Sequence, residues 1–127
     1  MKIPVTGLSG HRGQVVFLFL ILAQGAHSIE EYVTKLYEVF APARFVSSLV
    51  SNDLAAGFVV VNAALVTFGL WCWAVPVRKG WHAARGLVCF WTILEVGNGI
   101  GHLGLAWSTR GYFPGLATAP VLLGLAA

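Results

Sequence analysis

The chain has 127 residues, of which 57% are hydrophobic and only 10% charged. A soluble domain of this size carries about 25% charged residues, so the composition, with a mean hydropathy of +0.78, points to lipid as the outer solvent. The formal charge is +3, but the basic residues stand singly or in pairs between apolar runs. No basic face or aromatic-interleaved patch forms, which argues against a nucleic-acid partner and leaves Lys and Arg a topogenic role.

The first apolar segment opens near Gln14 and keeps a helical period to about residue 39, with Pro42 as the first strong stop. Lys2, His11 and Arg12 precede it and Ala23-Gln24-Gly25 looks like a cleavage site. Further long apolar segments follow, however, and cleavage there would leave the polar residues around His27 on a loose terminus. The second helix is expected over about 54–75, with Ser51, Asn52 and Asp53 as capping groups and Pro76 and Arg78-Lys79 at its end. The third is expected over about 83–107, followed by a turn through Thr109 to Gly115. A fourth, over about 116–127, is shorter than the roughly 20 residues that span a bilayer, and Pro120 is expected to break its hydrogen bonding locally. The fold class is therefore all-α: a membrane-embedded bundle of four helices, the last one short, forming a single domain over 1–127.

Cys72 and Cys89 sit inside apolar runs without metal-motif spacing and read as reduced packing residues. The tryptophans lie mostly near segment ends, as interfacial belts do, with Trp91 the exception. Lys2, Arg12, Arg78, Lys79 and Arg85 would share one side, while Glu30, Glu31, Glu38 and Asp53 outnumber Lys35 and Arg44 between the first two segments. This bias places the N-terminus in the cytoplasm and the chain as a multi-pass protein in an inner (plasma) membrane.

Only five acidic residues occur in the chain, and an ionisable group at membrane depth is expensive, by about 2.5–3.5 kcal/mol on a lenient scale. His27, Glu30 and Glu31 stand at i, i+3 and i+4 and share a helix face, extended by Gln24 and Thr34. Glu95, Asn98 and His102 share a face of the third helix. Gly97, Gly101 and Gly104 lie opposite and would admit another helix backbone, so that this helix reads as buried on both sides. Gln14 to His27 and Arg85 to Asn98 each climb ~20 Å, so the two polar stripes are expected to meet at one height. Asn62 of the second helix reaches the same level as an outer donor.

Taken singly, Glu30 and Glu31 could cap a membrane end, His27 could be a bonded core residue, Asn98 could be helix–helix glue and His102 could be solvated. Glu95, in mid-helix, most needs a partner. His11 and His82 look structural, and Glu38 lies further out on the His27 face. Together, His27, Glu31, Glu95 and His102 suit a divalent metal (Fe, Mn or Zn) held by facing helices. Glu30, Glu31 and Glu95 suit general acid–base work, and Asn98 suits contact with a substrate.

His27-Ser28-Ile29-Glu30-Glu31, in a first hydrophobic segment, matches an H-x-x-E-E signature. With Glu95-Val96-Gly97-Asn98-Gly99-Ile100-Gly101-His102 and the Tyr112-Phe113-Pro114-Gly115 turn, the chain from about residue 14 onward resembles the HXXEE-motif family of small bacterial integral membrane proteins. The resemblance implies a multipass protein with a suspected enzymatic site and a completed fourth span; it supplies no reaction. The arrangement is also loosely similar to emopamil-binding-type sterol isomerases, which place His and Glu within a helical membrane bundle.

The leading expectation is a membrane-embedded enzyme, metal-dependent or acid–base, acting on a lipidic or isoprenoid-like small molecule amid membrane lipid. The alternatives are a small transporter or proton-coupled carrier, or a non-catalytic membrane subunit that docks through the glycine face. Polar residues concentrated in one half of the membrane weigh against a path reaching both faces.

Overall fold

A computed structural model describes residues 10–127, so Lys2 and the rest of the N-terminal arm lie outside the described residues. Among the described residues every regular element is helical: α1 (His11–Val33), α2 (Leu36–Val39), α3 (Ala41–Val50), α4 (Leu54–Cys72), α5 (Ala84–Thr109) and α6 (Ala119–Ala126). Two stretches, His11–Val33 and Leu54–Val77, are long and apolar enough to cross a membrane. In α5, Glu95, Asn98, His102 and several glycines dilute an otherwise apolar run.

The first expected helix, 14–39, is in fact broken. α1 ends where Lys35 turns left-handed at φ 59°, a conformation that disfavours a residue with a Cβ, and α2 adds one further turn. Pro42 does not stop a helix; it sits in the first turn of α3. There its missing N–H leaves no bond unmade, because first-turn N–H groups have no intrahelical acceptor. Pro120 likewise stands in the first turn of α6, which begins at Ala119 rather than at residue 116. The expected break inside the last helix is thus its start. Pro76 lies inside a π-helical turn, Trp73–Val77, that carries α4 beyond the expected end at residue 75. A wider turn absorbs the proline without stopping the helix. Of the three capping candidates, Asp53 does the work: its carboxylate accepts from the backbone of Ala55 and Ala56.

α1 and α4 run antiparallel, with Gly25 beside Val66, Ser28 bonded to Asn62 and the Trp73 indole donating to the Gln14 carbonyl. The last bond brings the start of α1 and the basic turn after α4 to the same end of the molecule. α3 folds back on α4, with Ser47 backbone lying where a side chain at Gly57 would go. α6 packs against α5 and α1 and ends beside Arg12 and Val16.

α5 is not buried on both sides. Its buried residues, Trp91, Glu95, Gly99, His102 and Ala106, form one stripe. The close approach expected at Gly97, Gly101 and Gly104 occurs at Gly99, where a Cβ would lie 2.5 Å from Leu123 Cγ, while the space beside the other three is open. The single stripe wins because α6 covers the same face that carries Glu95 and His102.

Two apolar clusters result. Phe17, Ile21, Cys72, Trp91 and Leu122 fill the end near the basic turn. Leu36, Tyr37, Phe58, Ala106 and Phe113 fill the other. Between them lies a band of buried polar side chains. Cys72 is buried, Cys89 exposed, and neither is in a disulfide.

Candidate metal centre

The band is assembled by helical period. Gln24, His27, Ser28 and Glu31 recur at three- and four-residue steps on α1 and all are buried. Glu95 and His102, seven residues apart, stand on the buried stripe of α5. The two helices turn these faces toward each other, and three residues converge. Glu31 Oε1 lies 3.2 Å from His27 Nε2 and 2.9 Å from His102 Nε2. The imidazoles meet edge to face with centroids 4.7 Å apart. One ligand atom from each of the three residues falls within 4.8 Å of the others.

The neighbours of His27 fix its tautomer. Thr118 Oγ1 is 2.5 Å from His27 Nδ1 and 2.5 Å from Glu30 Oε2. The ionised Glu30 carboxylate only accepts, so the single Thr118 proton goes to it. Thr118 can then only accept from His27, which places the imidazole proton on Nδ1. Nε2 is left with a free lone pair, is fully buried and has no hydrogen-bond partner. An orphaned buried nitrogen aimed at a carboxylate and a second imidazole is what an ion would satisfy. Ligand–metal bonds of about 2.0–2.2 Å allow two ligand atoms to be at most about 4.4 Å apart, and both separations to Glu31 fall inside that limit.

The expected site residues divide. His27, Glu31 and His102 come together. Glu30 does not join them: its Oε1 accepts from the Tyr112 hydroxyl and the Ala117 amide, and its Oε2 from the Thr118 amide and hydroxyl. It is a clamp on the turn before α6 rather than a free acid or base. Glu95 is fully buried but lies outside the three-ligand group. Its oxygens sit 2.8 and 3.1 Å from the Gln24 amide. Asn98 is half-buried, with its amide 3.4 Å from Gln24 Oε1. Glu38 is exposed beside Lys35, and His11 and His82 are exposed.

The Gln24 amide decides the state of Glu95. With Nε2 toward Ser28, Ser28 is free to donate to Asn62 Oδ1, and Gln24 Oε1 accepts from Asn98. That orientation turns Oε1 toward the Glu95 carboxyl as well, which must then donate. The reverse orientation gives an ionised Glu95 two N–H contacts but takes the Ser28 proton from Asn62 and sets two amide donors against each other. The first arrangement satisfies every member of the chain and leaves the fully buried Glu95 uncharged. In that arrangement Glu95 is the protonated donor of a chain running through Gln24 and Ser28 to Asn62, whose own amide ends on the Phe58 carbonyl.

Gly115 closes the site. Its φ is +92°, and a Cβ there would lie 2.7 Å from Cε1 of both His27 and His102. Only glycine lets this turn lie flat on the two rings.

A family model described as protein of unknown function with HXXEE motif matches residues 17–127. The chain belongs to this HXXEE-motif family. No curated protein and no solved structure gives a significant match. The H-x-x-E-E residues are now distinguishable within this HXXEE chain: the histidine and the second glutamate meet the partner helix, and the first glutamate holds the C-terminal turn. Thr118, Gly115 and the Tyr112 hydroxyl were not legible as parts of the site, since no spacing rule joins Thr118 to a histidine 91 residues away.

Proposed function

We propose that this HXXEE protein is a membrane-embedded metal enzyme whose His27, Glu31 and His102 hold one divalent ion, Fe, Mn or Zn, and act on a lipidic or isoprenoid-like molecule. The observation that carries the reading is the convergence of two imidazoles and one carboxylate within 4.8 Å, all buried. Two histidines and a carboxylate are a donor set that leaves open positions for a substrate or water. When bound, such an ion supplies Lewis-acid polarisation of an oxygen. The chain's own residues do the rest: Thr118 orients His27, Phe113 and Gly115 cover the rings, and the buried Glu95 and Gln24 fill the flank.

The membrane placement draws on the two helices long and apolar enough to span and on outward apolar side chains such as Ile93, 73% exposed, and Leu49, 69% exposed. α5, 26 residues long, is long enough for a third span. The eight-residue α6 enters the bundle without crossing it, so we read a bundle of three spans and one half-span. Arg12, Arg78, Lys79 and Arg85 gather at one end, and the positive-inside bias assigns that end to the cytoplasm of an inner (plasma) membrane.

The test is metal analysis of protein purified in mild detergent and titrated with Fe(II), Mn(II) and Zn(II). One equivalent in the wild type and none in His27→Ala/His102→Ala is expected. A wild type that takes up none of the three metals sinks the proposal.

A further inference from the structure

The route by which a substrate reaches this centre follows from the side of α5 that no helix covers. A groove of 450 Å³ runs along it, walled by Phe40, Leu94, Gly97, Asn98, Gly101 and His102 among others. At Gly97 and Gly101 an added Cβ would meet nothing within 4 Å. Two glycines one turn apart leave a strip ~6 Å long on the helix face, aligned with the helix axis and therefore with the lipid tails.

We infer that this groove binds a single long alkyl or isoprenyl chain bearing a neutral oxygen function, with that oxygen at Asn98, beside the His102 ring. The inference rests on the metal-centre reading, since His102 is at once a wall of the groove and a member of the three-ligand group. The other sides are closed: Gly115 and Phe113 pack on the His102 ring, and the Gln24–Ser28–Asn62 chain fills the α1–α4 side.

The chemistry of the occupant is read from the walls. No Lys, Arg, Asp or Glu lines the groove, so a charged headgroup finds no counter-ion there. Asn98 gives one amide N–H to Gln24 and keeps its second N–H and its Oδ1 for a hydroxyl or carbonyl at one point, beside the His102 ring, and the remaining walls are apolar. A second groove, between α1 and α4, is lined by Ser28 and Asn62, but those two groups are already bonded to each other. The Tyr32 hydroxyl also lines it, but no member of the three-ligand group does.

The experiment uses the full chain in detergent with a diazirine-bearing hexadecanol, followed by peptide mapping, in wild type, Gly97→Leu/Gly101→Leu and Gly97→Ala/Gly101→Ala. Labelling of α5 between Ile93 and Leu105 and of Phe40, competed by excess plain hexadecanol, is expected. In the leucine variant it should fall by at least about tenfold, as a loss of about 1.4 kcal/mol of binding would give. The alanine variant should keep it, and the metal content of both should match wild type, which shows that each is folded. Labelling that is not competed, or that ignores the leucines, overturns the groove. If wild type binds no metal yet labelling remains competed and leucine-sensitive, the centre is lost and the groove stands.

Discussion

Thr118 Oγ1 lies 2.5 Å from Nδ1 of His27 across 91 residues of chain, and its proton is committed to Glu30. This one hydroxyl sets which imidazole nitrogen faces Glu31 and His102. Thr118→Val keeps the shape and removes the acceptor. Loss of such an outer partner weakens metal binding by about 10–100-fold, and we expect that fall in a competitive chelator titration, with Thr118→Ser close to wild type. Unchanged affinity in the valine variant would show that the hydroxyl does not orient His27.

Glu30 should behave as a structural residue. Each of its oxygens takes two donors from Tyr112, Ala117 and Thr118. Glu30→Gln turns one of those acceptors into a donor facing donors, a loss of about 1.5–3 kcal/mol for bonds to a charged group. The expected result is a lower melting temperature in detergent, with faster amide exchange at Ala117 and Thr118 while α4 amides stay protected. Exchange that rises everywhere, or nowhere, contradicts a local clamp.

The sequence made one half of this site legible and hid the other. The i, i+3, i+4 pattern around His27 and the seven-residue step from Glu95 to His102 describe single helix faces, which periodicity reports directly. That these faces meet followed from counting rise from a shared end, a count that holds because Gln14 and Trp73 do lie together. Periodicity does not tell which face of α5 receives α6, so it points to the glycines at 97, 101 and 104 as a packing surface where Gly99 is the contact. Nor does it give the role of a proline: Pro42 and Pro120 open helices here, and the same residue type ends them elsewhere. α3 was missed for that reason.

Gly115 offers a sharper trial of the closed geometry. Alanine there would need a backbone at φ +92° that side chains avoid, and its Cβ would lie 2.7 Å from both histidine rings. Left-handed strain of about 1–2 kcal/mol adds to displacement of His27 and His102. Gly115→Ala is therefore expected to lower both melting temperature and metal content, whereas Gly101→Ala, in open space inside α5, lowers neither. Equal behaviour of the two variants would mean that the turn does not rest on the rings.

Glu95 provides a test that does not depend on any metal. It is fully buried, and the orientation of Gln24 that satisfies Ser28, Asn62 and Asn98 requires it to donate. Glu95→Gln keeps a donor in the same place, through its amide N–H. That variant keeps the Gln24 bond and should be clearly more stable than one that removes it. Glu95→Leu leaves Gln24 Oε1 without that donor and should cost about 1–3 kcal/mol. Difference infrared spectra should carry the carbonyl stretch of a protonated carboxylic acid at neutral pH, present in wild type and absent in Glu95→Gln. A wild type lacking that band, together with a strongly destabilised glutamine variant, would mean that Glu95 is ionised and that Gln24 donates to it instead.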